Sequence, residues 1–205
     1  MEFYEAVRKR RTVREYGKKP VEEEKIRRVL AAGLRAPANA HLKDWQFILL
    51  RDPENRRRAL VDALHARDLK DKEGIEALIK TMPYEELKEV YRKSLPLQLT
   101  MMLEAPELLL VCYRMRKPLG EVKTLFELNN LASVWCCVEN IVLAMATEGL
   151  YGCTYSPYDT SGLKKYLGLP PDMEIAVLIP MGYPRAQPEE RPLKDLNARL
   201  HIDRW

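Results

Sequence analysis

The stretch from Leu128 to Pro157 limits most strongly what this chain can fold into. From Leu128 to Ala146, apolar residues occur at helical spacing and also fill most of the positions between. A helix that is apolar on nearly every side lies either in a protein core or in a membrane. Glu139 and Asn140 interrupt this run, so it falls short of the roughly 18 unbroken apolar residues that a spanning helix requires. The stretch therefore predicts a buried central helix, covered by an ordinary core or by a second copy of the chain.

Short helical and strand patterns follow one another along the rest of the chain, and they predict a fold that combines both kinds of element. The central helix is expected to begin at about Glu121 and to end at Gly149, because glycine is common immediately after a helix. In the first predicted helix, Phe3, Ala6 and Val7 form the inward face. Besides the central helix, the predicted helices cover residues 2–9, 21–35, 53–67 and 161–167. The predicted strands cover residues 45–50, 106–113, 151–155 and 174–179.

A single domain spanning residues 1–205 is expected, because a chain of this length can bury one good core. Within that domain, residues at about 64–104 are charged and helical in pattern, with interruptions at Gly74, Pro83 and Pro96. This segment is either a lid over a pocket or a solvated helical hairpin. A polar C-terminal arm at about 185–205 ends in an apolar tryptophan and is expected to dock, plausibly on a partner subunit.

Charge and cysteine content indicate which partners the protein can bind and in which cellular compartment it is expected. The 34 basic and 30 acidic residues give a net charge of +4, which is a mixed surface and predicts no nucleic-acid partner. The four cysteines lie in apolar segments without the spacing of a metal site, so no metal is predicted. Reduced thiols and an N-terminus without a secretory pattern favour a cytoplasmic protein with no membrane partner.

A basic cluster near the N-terminus is the strongest chemical signal in the residues themselves. Arg10, Arg11 and Arg14, with the hydroxyl of Thr12, could hold one phosphate group, and Arg191 could join them. The alternative is a solvated helix end. The sequence has neither a GxGxxG motif after a strand nor a Walker loop, so these arginines are the best candidate for an anion site.

Six segments, in the same order, resemble the FMN-dependent nitroreductase superfamily. They are Arg10-Arg11-Thr12-Val13-Arg14, residues 36–45, the helix at 133–144, Gly149-Leu150 with Ser156-Pro157, residues 179–184, and Arg191-Pro192-Leu193. Within the superfamily the chain looks most like the iodotyrosine deiodinase-like branch, because Ala40-His41 and Tyr155-Ser156-Pro157 are similar to that branch's loops. The chain departs from the pattern at Ala38, where serine is usual, and at Asp44, where proline is usual.

The resemblance implies an α+β fold, with a central mixed and mainly antiparallel sheet flanked by helices, in an intertwined homodimer with FMN at the interface. It assigns Arg10, Arg11, Thr12, Arg14 and Arg191 to the phosphate and ribityl end of the cofactor. It places Pro37, Ala38, Asn39 and His41 along the flavin ring, together with Tyr155, Ser156 and Pro157. In this assignment Ser156 is the catalytic residue, because its hydroxyl could tune the flavin N5 atom toward one-electron steps.

Three functional hypotheses follow from the resemblance and the basic cluster. The first is an FMN-dependent oxidoreductase that passes electrons from NAD(P)H or another reductant to a small aromatic acceptor, such as a nitroaromatic, a quinone or a halophenol. The second is a flavin-consuming or flavin-binding protein of the same superfamily. The third is a non-enzymatic dimeric interaction module. The deiodinase-like branch clasps its amino-acid substrate with a Glu-x-x-x-Tyr pair and a lysine, whereas here Tyr84 follows Lys80 and Tyr91 follows Leu87 at that spacing.

Overall fold

The computed structural model describes residues 2–64, 72–157 and 159–205, which form an α+β fold around one antiparallel sheet. The helices are α1 (Phe3–Lys9), α2 (Glu23–Leu34), α3 (Pro53–Arg58), α4 (Lys72–Lys80), α5 (Glu85–Ser94), α6 (Gln98–Glu104), α7 (Asn129–Thr147) and α8 (Ser161–Leu167). The strands are β1 (Trp45–Leu49), β2 (Glu107–Arg114), β3 (Tyr151–Gly152) and β4 (Met173–Gly182).

Four strands in the order β1-β2-β4-β3 form the sheet. The central pair is fixed by its own sequence, because β2 and β4 are continuous apolar runs that need cover on both faces. Leu109 lies opposite Leu49 of β1 and opposite Ile179 of β4, and all of β2 except Arg114 is buried. The register between β2 and β4 shifts once, between Val111 and Cys112. The predicted α+β class with a mainly antiparallel sheet is confirmed.

The helices α2 and α7 cover one face of this sheet. They cross closely at Gly33, where a Cβ atom would lie 2.8 Å from Ile141 Cγ1. Asn140, which interrupts the apolar run of α7, donates a hydrogen bond from Nδ2 to Ala32 O at 3.1 Å. The helical stretch Leu125–Thr147 is long and apolar enough to cross a membrane by composition, but its Val138 and Ile141 pack into the core beneath α2. The sequence prediction of a core helix therefore holds for this side of α7.

The other face of the sheet is covered by α3, α6, α8 and a short π-helical turn at Ala59–Ala63. The turn is closed by a hydrogen bond from Leu64 N to Ala59 O at 2.9 Å. Arg56 is buried here and ties α3 to the strand ends, because its guanidinium donates to Leu50 O at 2.7 Å and to Ala105 O at 2.6 Å. Burial lowers the pKa of Arg56 from its usual value, and the carbonyl partners compensate the buried cation.

Several predicted boundaries differ from the structure. The central helix begins at Asn129 and not at about Glu121, because a capping box between Thr124 and Glu127 closes a separate 3₁₀ turn first. Gly74 lies inside α4 and does not interrupt it. The predicted strand at 151–155 is shorter, with Tyr155 joined to Leu178 as an isolated bridge. Residues 65–71 lie outside the described part of the chain. They include the predicted end of the helix at 53–67 and part of the predicted lid at about 64–104.

The predicted inward face of α1 is also wrong for the single chain. Only Ala6 is buried, whereas Phe3 and Val7 are exposed. Two side chains of α7, Trp135 and Cys136, are likewise exposed although the run is apolar on nearly every side. A single copy of the chain therefore leaves an apolar surface on α1 and α7 uncovered.

Candidate functional site

A crevice beside α7 gathers three of the four N-terminal residues predicted to hold a phosphate, whereas the fourth, Arg14, lines a different cavity. Arg10, Arg11 and Thr12 line it together with Glu139 of α7 and Gly152 of β3. The backbone explains this position, because Thr12 forms a parallel bridge with Gly152, and Val13 N donates to Gly152 O at 3.0 Å. We call it the N-terminal crevice. Its volume is about 140 Å³, which suits a compact anionic group.

The C-terminal arm reaches this crevice from the other end of the chain. Arg8 forms an ion pair with Glu190, and Arg11 Nε donates to Glu189 O at 3.2 Å. These contacts bring the arm's next residue, Arg191, into the neighbourhood of the N-terminal cluster. The predicted meeting of the two termini is therefore compatible with the structure, although the rest of the arm is exposed.

A second and larger cavity lies on the opposite face of the sheet, beneath α5 and α6. We call it the lid cavity, and its volume is about 900 Å³. One wall contains Arg14 and the segment from Cys153 to Pro157. Within that wall, Tyr155 N donates to Leu178 O at 2.9 Å, and Ser156 Oγ donates to Ala176 O at 3.3 Å. Three of the predicted ring-binding residues, Tyr155, Ser156 and Pro157, therefore share one cavity with Arg14.

The lid segment, which is α4 to α6 (residues 72–104), supplies the opposite wall through one helical stripe. The stripe consists of Val90, Tyr91, Ser94, Leu95, Gln98 and Met101. Their spacing places them on one face of the nearly continuous helix formed by α5, the 3₁₀ turn Leu95–Leu97 and α6. Val90, Leu95 and Met101 make half of the stripe apolar, and Tyr91, Ser94 and Gln98 add a phenol, a hydroxyl and an amide.

The floor of the lid cavity depends on a close contact between α8 and the π-helical turn. A Cβ atom on Gly162 would lie 2.3 Å from Ala63 O, so only glycine permits this approach. Ala63, Leu64 and Gly162 all line the cavity. π-helical turns often mark functional sites, and here the turn shapes the base of the lid cavity.

The predicted ring-contacting loop, Pro37 to His41, lies apart from both cavities within one chain. Ala38 and Asn39 line a small separate crevice, and Asn39 N donates to Ser133 Oγ at 3.0 Å. The backbone is strained there, because Ala40 and His41 have φ values of 53° and 56°, in the left-handed region that costs non-glycine residues energy. The loop would join the other predicted residues only if a second copy of the chain supplied it.

Burial keeps the thiol and phenol groups near these sites uncharged. It raises the pKa of the Cys153 thiol, although nearby Arg14 opposes this shift. It also raises the pKa of Tyr16 well above its usual value, and Tyr16 Oη is held 2.9 Å from Val13 O and 3.0 Å from Pro180 O. These two side chains therefore hold the wall between the N-terminal crevice and the lid cavity as neutral packing groups.

No individual cavity-lining residue of the lid was predicted from the sequence, and Gln98 is one that the structure places in the cavity wall. It is only 8% exposed and lies on the stripe described above. Helical periodicity carried through the Pro96 turn would have found it, because a buried glutamine between Leu95 and Met101 is unusual. Trp45 was recognised only as part of a motif, yet its buried Nε1 has no hydrogen-bond partner in the described part of the chain.

The fold and these sites define an α+β protein with an arginine-lined crevice beside a large, partly apolar cavity. Residues 7–183 match the Nitroreductase family, and the chain belongs to that family.

Three comparisons refine this assignment. An iodotyrosine deiodinase from Thermotoga neapolitana is 24% identical over 199 residues, which cover 97% of each chain. A putative NADH dehydrogenase/NAD(P)H nitroreductase from Methanothermobacter thermautotrophicus is 24% identical, over 100% of this chain and 88% of its own. The crystal structure of an oxidized iodotyrosine deiodinase bound to FMN and 3-iodo-L-tyrosine superposes with a TM-score of 0.76 at 22% identity, over 95% and 96% of the two chains. The predicted superfamily and branch are confirmed.

Proposed function

We propose that this protein is an FMN-dependent oxidoreductase that passes electrons from NAD(P)H, or another reductant, to a small aromatic acceptor in the lid cavity. The observation that carries the proposal is the adjacency of two sites across β3. The N-terminal crevice offers cationic groups, and the lid cavity offers room for a ring system. The names of relatives in the family, which include FMN-bound and NAD(P)H-using proteins, support the same chemistry.

The residues present fit the phosphate end of FMN. Arg10 and Arg11 provide planar guanidinium groups, which suit a phosphate better than a point charge does. Thr12 adds a hydroxyl, and the lack of a side chain on Gly152, which also lines the crevice, lets β3 lie against Pro180 O, where a Cβ atom would be only 2.5 Å away. Arg14 and Arg191 complete the proposed phosphate and ribityl contacts. When bound, FMN would supply the redox chemistry, and the protein would bind it and orient the acceptor.

The proposed ring site draws on both chains of a homodimer. Tyr155, Ser156 and Pro157 would line one side of the ring, and Ser156 would offer its hydroxyl to the flavin N5 atom. To do so, Ser156 would exchange its bond to Ala176 O, which at 3.3 Å is long. The second chain would contribute Pro37, Ala38, Asn39 and His41. Its docking would also cover the exposed apolar residues of α1 and α7.

An FMN titration of purified protein tests this proposal. Arg10→Ala should weaken FMN binding by roughly 10- to 150-fold, since a hydrogen bond to a charged group contributes about 1.5–3 kcal/mol. Arg57→Ala is the matched control, because Arg57 is exposed on α3 and lies outside both cavities. Equal FMN affinity in Arg10→Ala and wild-type protein would contradict the phosphate assignment.

The dimer and the reaction need their own measurements. Sedimentation at micromolar concentration should give a dimer, and a folded monomer there would contradict the shared ring site. A protein that binds no flavin would favour the non-enzymatic interaction module. Loss of intact FMN during turnover in air would favour the flavin-consuming alternative, whereas oxidation of NAD(P)H coupled to reduction of a quinone or nitroaromatic with intact FMN supports the proposal. We place the protein in the cytoplasm, where its four free thiols would stay reduced.

A further inference from the structure

The C-terminal arm follows the N-terminal segment in an antiparallel register. Three successive backbone contacts fix this register, and they pair Gly17 with Tyr183, Tyr16 with Pro184, and Glu15 with Arg185. The next contact, from Arg11 Nε to Glu189 O at 3.2 Å, keeps the same register four residues further along both segments. The arm therefore runs beside the segment that carries Arg10 and Thr12 as far as Glu189.

Arg11 holds the arm at the end of this register. Its guanidinium uses two of its five N–H donors on backbone carbonyls, because Nε donates to Glu189 O and Nη1 donates to Arg10 O at 2.7 Å. One planar group thus joins the arm to the backbone of a residue that lines the N-terminal crevice. A lysine would not fix both carbonyls, because its ammonium is a single compact charge on a flexible stem.

The neighbouring ion pair between Arg8 and Glu190 is a weaker fastening. Its two side chains are 54% and 61% exposed, and ion pairs between exposed side chains contribute little to stability. Arg11, in contrast, is only partly exposed. Arg191 is two residues beyond Glu189, so its Cα atom lies within about 7.6 Å of the Cα atom of the residue that Arg11 holds.

We propose that Arg11 is a positioning residue, which fixes the arm so that Arg191 is presented to the N-terminal crevice and joins Arg10 on one phosphate group. Arg11 acts on the phosphate through Arg191 rather than by a bond of its own. Without the contact at Glu189 O, the arm would have to be ordered when the phosphate binds, and that ordering costs conformational entropy. This inference rests on the proposed function, and it divides the roles within the proposed phosphate site.

A double-mutant cycle on FMN affinity separates positioning from direct contact. Arg191→Ala should weaken FMN binding roughly 10-fold or more, and Arg11→Ala roughly 3- to 10-fold. The double variant should bind FMN no more weakly than Arg191→Ala alone, because Arg11 then has no ligand left to position. Losses that multiply in the double variant, or no loss in Arg191→Ala, would overturn the proposal.

Two further variants separate the geometry of Arg11 from its charge. Arg11→Lys keeps the charge but not the two carbonyl bonds, so its FMN affinity should resemble that of Arg11→Ala. Arg8→Ala is the matched control, because it removes another arginine contact with the same part of the arm, and it should change FMN affinity less than about 3-fold. Wild-type affinity in Arg11→Lys would mean that the charge alone matters, and the positioning role would be wrong.

Cleavage of the arm gives a second measurement that needs no cofactor. Glu189 and Glu190 are the two glutamates of the arm, so a glutamate-specific protease releases the peptides 190–205 and 191–205, which mass spectrometry quantifies. In flavin-free protein, Arg11→Ala and Arg11→Lys should release them roughly 3- to 10-fold faster than wild type, as expected for the loss of a hydrogen bond that holds the arm. Arg8→Ala should remain close to wild type. An unchanged release rate in Arg11→Ala would contradict the proposal.

The two measurements let this inference and the proposed function fail separately. If wild-type protein binds FMN but the losses multiply and the release rate is unchanged, Arg11 does not position the arm and the oxidoreductase proposal stands. If wild-type protein binds no FMN but Arg11→Ala still releases the arm faster, Arg11 holds the arm in a protein of another function.

Discussion

The apolar core around the sheet is much larger than the apolar core of the lid segment. The sheet is packed on both faces, and its central residues, including Leu109 and Ile179, are fully buried between two large apolar clusters. The lid segment instead has a small cluster of its own around Ile75, Ile79 and Leu95. Its helices α4 and α5 pack mainly on each other and on the 3₁₀ turn that precedes α6. The comparison teaches that the scaffold and the cavity roof are stabilised separately, so the roof can open or vary while the scaffold persists.

The largest effect that tests this comparison should come from the centre of the sheet. Leu109→Ala removes a fully buried side chain that contacts both neighbouring strands. Global stability should fall by about 2–5 kcal/mol, because a cavity would form in a core that cannot collapse. Urea unfolding followed by circular dichroism measures this loss. A loss below about 1 kcal/mol would mean that the sheet is not the principal core.

The next largest effect concerns the junction between scaffold and cavity floor. Gly162→Ala places a Cβ atom 2.3 Å from Ala63 O, so α8 must move away from the π-helical turn. We expect a loss of about 1–3 kcal/mol, as for overpacked cores, with weaker binding of ring compounds in the lid cavity. Gly120→Ala is the control, since a Cβ atom there meets no other atom within 4 Å. Equal stability and equal binding in the two variants would contradict a role of the Gly162–Ala63 contact in the cavity floor.

Alkaline pH tests whether both faces of the sheet unfold together. Burial raises the pKa of Cys112 and of Cys137 to about 12, and these thiols lie in the clusters on opposite faces. A thiol in the unfolded chain loses its proton near pH 8.5, so above that value the unfolded state binds fewer protons and stability falls as pH rises toward 12. The slope is at most about 1.4 kcal/mol per pH unit for each thiol.

Single alanine variants measure each thiol's share of that slope in urea unfolding between pH 8 and pH 11. Cys112→Ala and Cys137→Ala should each flatten the alkaline limb, by similar amounts. Flattening by only one of the two buried variants would show that one face opens before the rest of the sheet unfolds.

The smallest global effect is expected from the lid. Ile79→Ala deletes a side chain as fully buried as Leu109, yet the free energy of global unfolding should fall by less than about 1 kcal/mol, because the lid can open without the sheet. Hydrogen exchange should instead accelerate in α4 and α5. A global loss equal to that of Leu109→Ala would contradict the separation of the two cores.

The sequence predicted the scaffold far better than the lid, for reasons visible in particular residues. Leu108 to Cys112 form a short apolar run of the length expected for a buried strand, and the predicted boundaries of α8 agree with the structure. In the lid, Gly74 was taken as a break although it lies within α4. Helix ends set by tertiary contacts leave a weak local signal, and Gln98 became visible only once α5 and α6 were seen to share one face.

The candidate site was predicted in pieces that only the fold could arrange. Short motifs indicated Arg10–Thr12 and Tyr155–Pro157, but periodicity gives no distance between segments so far apart in the chain. Their placement depends on contacts such as Tyr16 Oη with Pro180 O, which bring the N-terminal segment against β4. The exposed Phe3 and Trp135 show the corresponding limit, since an apolar pattern predicts that a residue is covered without saying by which chain.

The π-helical turn at Ala59–Ala63 has a consequence for how this chain can change length. Such a turn holds one more residue than an α-helical turn, so a one-residue deletion there would convert it to regular helix without breaking the chain. The extra residue that carries Ala63 against Gly162 would then be lost, while the flanking helix keeps its direction. Because Ala63, Leu64 and Gly162 line the lid cavity, a relative with one residue fewer at this point would have a differently shaped cavity floor on an unchanged sheet.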